Sequence, residues 1–156
     1  MAVPESPRLE VEVVKAVSAP VAPALARSVL AHTASLPEVA ARLPEGTSGI
    51  AVRITSDREL RRLNRTYAGN DAVTDVLSFE GSGAHVGDLA ISWATVVRQA
   101  GEFGHAPQAE FALLCVHGML HLLGWDHAAA AERKEMVRLT NAALALSGVR
   151  LPAGRL

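Results

Sequence analysis

The chain of 156 residues has little of several residue types, and each scarcity excludes a class of protein. Its one cysteine, Cys115, cannot form an intrachain disulfide and suits a reducing compartment. No run of roughly 18 uncharged apolar residues is present, so we predict no membrane span. The formal net charge is -1, so a strong positive field over the whole molecule is excluded and any basic surface must be local.

The remaining composition is that of one folded domain. Hydrophobic residues make up 49% of the chain and charged residues 20%, an ordinary globular balance. Residues 1–7 hold two prolines and are predicted to form a flexible tail, followed by a single domain over residues 8–150. The start of the chain has no basic segment followed by an apolar run, so we expect no secretory signal and a cytoplasmic protein.

Hydrophobic periodicity predicts strands early in the chain and helices late. Alternating or short apolar segments predict strands near residues 9–13, 50–54, 73–79 and 89–91. Helical spacing predicts helices near residues 22–30, 37–42 and 93–101, between Ser56 and Gly69, between Pro107 and Gly124, and before Gly148. The order β-α-β-α-β-β-α-α-α indicates an α+β fold, with helices packed on a small mixed sheet of about four strands.

Three of the six histidines lie within residues 117–127, which read HGMLHLLGWDH. His117 and His121 are four apart on a predicted helix, so their imidazoles project from one face. Gly124 can turn the chain and bring His127 back toward them. Three imidazoles with an open fourth position are typical of a catalytic zinc site, so we predict that these histidines bind one zinc ion.

The same spacing occurs in the zinc-peptidase motif H-E-x-x-H-x-x-G-x-x-H, where the glutamate is the general base. Here that position is Gly118, which cannot accept a proton. Asp126 is the nearest carboxylate, and it is a candidate to act as base or to orient a ligand histidine. The alternative for Asp126 is the N-cap of the final helix.

These motifs resemble those of the YbeY family of bacterial rRNA maturation endoribonucleases, over roughly residues 9–150. The histidine segment is similar to the family signature H-G-x-L-H-L-x-G-[YW]-D-H. Residues 63–79 resemble its L-N-x-x-Y-R-x-x-D-x-P-T-D-V-L-S-F block, and residues 87–92, GDLAIS, resemble its G-D-I-x-I-S strand.

The resemblance implies a zinc-dependent, single-strand-specific endoribonuclease, with His117, His121 and His127 as zinc ligands. It also implies action in 16S rRNA 3′-end maturation and ribosome quality control. The implied partners are single-stranded RNA, the small ribosomal subunit and an assembly GTPase. A zinc peptidase-like metallohydrolase and a non-catalytic ribosome assembly factor are the alternatives.

Two positions depart from the family pattern, and one of them concerns the active site. The family arginine after the tyrosine is Ala68 here, and the usual proline before Thr74 is Val73. Losing the arginine removes a candidate phosphate clamp, and we expect Arg65 to replace it. Arg65 belongs to a basic helix face, whose other members are Arg58, Arg61 and Arg62. Such a face could meet phosphates or simply be solvated.

Overall fold

The computed structural model describes residues 8–69, 74–126 and 128–156. The predicted tail 1–7 and the predicted ligand His127 therefore lie outside the described residues, as does Val73. Four strands, β1 to β4, occupy Arg8–Lys15, Thr47–Thr55, Val76–Glu80 and His85–Ser92. Six helices, α1 to α6, occupy Pro23–Ser35, Pro37–Ala40, Asp57–Ala68, Trp93–Phe103, Pro107–Leu122 and Ala130–Leu146.

The strands form one mixed sheet in the order β1-β2-β4-β3. β1, β2 and β4 are mutually parallel, whereas β3 is antiparallel to β4. β3 is therefore an edge strand with a direction opposite to the rest of the sheet. The α+β prediction is confirmed, with a mixed sheet of four strands and helices packed on it.

One face of the sheet is covered by the main core. Val52 of β2 and Leu89 of β4 point to this side and are buried. α1 and α5 pack against this face, and α6 packs on these two helices. α5 is buried around nearly its whole circumference, as expected of a central helix. Pro107 at its first turn suits the start of a helix because its missing N–H has no helical partner there.

The opposite face carries α3. Leu63 of α3 lies beside Ala51, Phe79 and Ala90, which alternate along the strands with the residues facing the core. The Ser56 hydroxyl accepts a hydrogen bond from the Glu59 amide at 3.2 Å and caps this helix, as the sequence predicts. α3 and α5 consequently pack on different sides of the sheet.

The predicted helices and strands are present, but several boundaries differ: α1 continues to Ser35 and β4 already begins at His85. β3 begins at Val76, because the Asp75 carboxylate accepts from the Val76 amide and Asp75 itself forms a bend. The short helical segment predicted near 37–42 is α2, which spans only Pro37–Ala40. Within the described residues, no helix is long and apolar enough to cross a membrane.

Candidate active site

Two of the three predicted zinc ligands lie on α5. His117 and His121 are one helical turn apart, and both side chains are half-buried. The third, His127, lies outside the described residues. Among the residues that are described, no group of three His, Cys, Asp or Glu side chains could hold a metal ion. The described part of the predicted site is therefore a histidine pair, and its chemistry suits zinc.

Gly118 lies between the two histidines and faces the sheet. A Cβ built on it would lie 2.7 Å from Leu89 Cδ2 and 3.2 Å from Val76 Cγ2. The space that a side chain would need is thus occupied by β3 and β4. The position that holds the general base in zinc peptidases is here a packing position, because only glycine lets α5 approach the sheet so closely.

The edge strand β3 is tied to the histidine-bearing helix. The Ser78 hydroxyl donates a hydrogen bond to the Gly118 carbonyl at 3.1 Å. Further along, a Cβ on Gly87 would meet Leu122 Cδ2 at 2.6 Å, so β4 and the end of α5 are also in close contact. These contacts fix α5, and with it the two histidines, relative to the sheet.

Arg42, which the sequence analysis did not single out, holds the turn after α5. The turn is made at Gly124, whose φ of 97° only glycine adopts readily. Arg42 donates a hydrogen bond to the Leu123 carbonyl at 3.0 Å. Its guanidinium also lies 3.5 Å from the centre of the Trp125 ring, a cation–π contact. Arg42 is distant in sequence, so no local pattern could have indicated its role.

Asp126, predicted as a base or orienter, is exposed on this turn. Its amide donates to the Glu132 carboxylate of α6 at 3.0 Å. The alternative that Asp126 caps the final helix is wrong, because α6 begins at Ala130 with Ala129 as N-cap and no side-chain cap. Which chemical role the Asp126 carboxylate has stays a prediction.

Two other carboxylates, those of Asp75 before β3 and Asp88 in β4, are bound by neighbouring groups. The Asp75 carboxylate accepts from the Val76 amide at 2.8 Å and from Gln99 at 3.4 Å. Asp88 lies in β4 on the side opposite the core and contacts His85 at 3.2 Å. Because α5 packs on the core side, Asp88 faces away from the histidine pair.

Arg65 lies in the last turn of α3, one turn before the C-cap Gly69. Ala68, which replaces the family arginine, is exposed beside it. Since α3 and α5 lie on different sides of the sheet, a phosphodiester bound near both would have to cross the edge strand β3. The role of Arg65 in catalysis stays a prediction.

The N-terminal part of α5 is anchored by a buried carboxylate. Glu110 is fully buried and accepts a bidentate hydrogen bond from Arg155, one arm at 2.9 Å. His105 contacts the same carboxylate at 2.7 Å. Burial raises the pKa of Glu110, but the hydrogen bonds and charge of Arg155 and His105 outweigh it, so the net pKa is below its ordinary value.

Cys115 is also on α5 and is fully buried in the core. Burial raises the pKa of its thiol well above the ordinary value. Cys115 is therefore a packed core residue, and its thiol is poorly suited to bind a metal. Among the aromatic residues, Trp125 is buried and Phe79 is half-buried, whereas Tyr67 is 69% exposed and packs edge to face on Phe79, with ring centres 5.6 Å apart.

A small α+β domain thus carries a histidine pair on its central helix, beside an antiparallel edge strand and before a glycine turn. Comparison with known proteins assigns the family. Residues 14–148 match the family model described as Endoribonuclease YbeY. The chain belongs to this family, as its sequence motifs indicated.

Similar proteins named Endoribonuclease YbeY occur in several bacteria. The one from Chloroflexus aurantiacus is 49% identical over 100 residues, which cover 56% of this chain and 64% of the relative. The one from Roseiflexus castenholzii is 43% identical over 130 residues, covering 76% and 79%. The match with the Chloroflexus protein therefore spans slightly less than two thirds of that relative's length.

A solved structure supports the fold. The solution structure of TM1509 from Thermotoga maritima superposes with a TM-score of 0.58 and covers 94% of this chain and 100% of that one. Its sequence identity is 19%, so this likeness concerns the fold alone.

Proposed function

We propose that this protein is a zinc-dependent, single-strand-specific endoribonuclease. The observation that carries the proposal is the histidine pair, His117 and His121, one turn apart on a helix that is locked to the sheet through Gly118. Membership of the Endoribonuclease YbeY family supports RNA as the substrate class. Both observations involve the same histidine segment, which lies within the family match.

The residues present fit a zinc ion. The imidazoles of His117 and His121 would supply two nitrogen ligands, and His127 is the proposed third ligand. When bound, zinc supplies a Lewis acid that polarises a phosphodiester and activates water at neutral pH.

The chain's own residues would then bind and orient the RNA and move the proton. Asp126 is the proposed proton acceptor, or else it orients a ligand histidine, because it is the carboxylate adjacent to His127. Arg65 is the proposed phosphate-binding residue in place of the missing arginine at Ala68. β3 would form one wall of the cleft, since Ser78 holds it against the histidine-bearing helix.

We further propose a cytoplasmic role in 16S rRNA 3′-end maturation and ribosome quality control. The partners proposed with it are the small ribosomal subunit and an assembly GTPase. These finer statements rest on the family resemblance. They are tested by measuring 16S rRNA 3′ ends and ribosome association in cells that carry only the variant protein.

Two alternatives make different predictions. A peptidase-like metallohydrolase is disfavoured, because Gly118 offers no carboxylate at the general-base position and Leu89 occupies the space that a side chain there would need. A non-catalytic assembly factor is favoured by one observation, the replacement of the family arginine by Ala68. In that case His117→Ala would leave both ribosome association and growth unchanged.

The deciding experiment combines metal analysis with cleavage. Purified protein should contain about one zinc per chain and cut single-stranded RNA faster than duplex RNA, with no action on casein. His117→Ala and His121→Ala should lose both zinc and cleavage, whereas the matched control His85→Ala, on the opposite face of the sheet, should retain both. Full cleavage by metal-free protein would contradict the proposal.

A further inference from the structure

The exposed side of α3 carries an unusual concentration of positive charge. Its four arginines share one helix face, are all solvent-exposed, and together line one surface depression of about 380 Å³. We call these four residues the arginine stripe: Arg58, Arg61, Arg62 and Arg65. A chain with a net charge of -1 thus places four of its 15 basic residues within eight positions.

This arrangement is unfavourable for the helix itself. Arg58 and Arg62 are four apart, as are Arg61 and Arg65, and like charges at this spacing are destabilising by about 0.2–0.5 kcal/mol a pair. Arg58 also lies in the first turn, where the helix dipole disfavours a cation. Glu59 lies 4.0 Å from Arg62, but its carboxylate is also bound to Arg53 at 2.5 Å. Helix stability alone therefore does not explain the stripe.

The position of the stripe separates it from the proposed catalytic site. The side of α3 that packs on the sheet is formed by Leu60 and Leu63, and the arginines lie on its outer side. The histidines lie beyond the sheet on α5. Arg58 and Arg61, near the start of the helix, are the members farthest in sequence from the edge strand β3.

We infer that Arg58, Arg61 and Arg62 form a phosphate-binding surface that holds a distant part of the single-stranded RNA, separate from the bond that is cut. This deepens the proposed function and rests on it. Guanidiniums bind phosphate in bidentate geometry, and these three arginines extend over about 6 Å of the helix, from the helical rise, which matches about two phosphates of an extended strand. The surface supplies affinity and takes no part in the chemical step.

The test replaces the three arginines by glutamine and leaves Arg65 in place. Binding is measured by fluorescence anisotropy on a labelled single-stranded RNA at several salt concentrations, with all proteins carrying His117→Ala so that the strand is not cut. The matched control, Arg27→Gln with Arg133→Gln and Arg150→Gln, removes the same charge from exposed positions elsewhere.

We expect the stripe variant to lower the slope of log affinity against log salt by about 1.4, since each of the two single-strand phosphate contacts contributes about 0.7. That corresponds to roughly 25-fold weaker binding near 0.1 M salt, taken relative to 1 M salt. In cleavage assays KM should rise and kcat should stay within about twofold. The control triple variant should change the slope by less than half as much.

Equal binding by the stripe and control variants would overturn the inference, even if the protein cleaves RNA. A loss of kcat at saturating RNA would also overturn it, because the stripe would then act in the chemical step. Stripe-dependent RNA binding without any cleavage would instead contradict the proposed function and leave this surface in place. Binding of the stripe to anionic lipid vesicles but not to RNA would contradict both.

Discussion

Replacing Arg155 by methionine should destabilise the protein more than any single change at an exposed arginine. Arg155 lies after residue 148, where the family match ends, yet its guanidinium forms the bidentate contact with the buried Glu110 of α5. The methionine keeps most of the side-chain volume and removes the charge. Glu110 would then remain in the core with His105 as its partner.

The magnitude follows from the burial of the pair. Breaking a buried ion pair by removing one partner costs about 3–5 kcal/mol. Arg155 retains 13% exposure, while Glu110 has none, so the lower end of that range, about 3 kcal/mol, applies. For a domain of this length, 1 kcal/mol shifts the melting temperature by about 2–4 °C, so Arg155→Met should lower it by roughly 6–12 °C.

The dependence on pH gives a second readout with a defined sign. The pKa of Glu110 lies below its ordinary value of 4.5, so its ionised form is stabilised by folding. This contribution is complete above pH 4.5 and is lost as the pH falls through the lower folded-state pKa. The difference between parent and Arg155→Met should therefore be full at neutral pH and shrink in acid.

Calorimetry and urea unfolding at pH 7, repeated toward acid pH, measure both effects. Arg150→Met is the matched control at an exposed position and should shift the melting temperature by less than about 2 °C. The double variant Glu110→Leu with Arg155→Met should recover part of the loss, because no unpaired charge remains. Equal melting temperatures for Arg155→Met and Arg150→Met would refute the reasoning.

Three further outcomes test the surroundings of the histidine pair. Gly118→Ala should lower the free energy of unfolding by about 1–3 kcal/mol, because the alanine Cβ would meet Leu89 at 2.7 Å. Urea unfolding measures this, and a free energy equal to that of the parent would contradict it. Arg42→Ala should weaken zinc binding about tenfold in a chelator competition, because it frees the Leu123 carbonyl and exposes Trp125. Tryptophan fluorescence measures that exposure. An unchanged zinc affinity would argue against a positioning role for Arg42. Arg42→Lys should recover little of the loss, because an ammonium does not stack flat on the indole ring.

Local sequence patterns predicted most of the fold, because the interactions involved are close in sequence. The alternation around Val52 determines which side of β2 is buried. Ser56 caps α3 through the amide three residues later. The spacing of His117 and His121 places both on one face of α5. Each of these features depends on the geometry of a single helix or strand.

The role of Gly118 could be only half predicted. Its lack of a carboxylate argued against a peptidase from the sequence alone. The reason that glycine is needed there appears only when Leu89 and Val76 are seen against the helix. Similarly, the N-cap alternative for Asp126 failed because the chain continues to Ala129 before α6 begins.

The sequence by itself therefore determined the elements, the histidine pair, the basic face and the family of this protein. Only the tertiary structure decided that α3 and α5 lie on opposite sides of the sheet, and that Arg42 and Arg155 hold the two ends of the histidine-bearing helix. The physical reason is distance along the chain. Arg42 and Leu123 are 81 residues apart, and Arg155 and Glu110 are 45 apart. Contacts of this kind depend on how whole elements pack, which no local periodicity records.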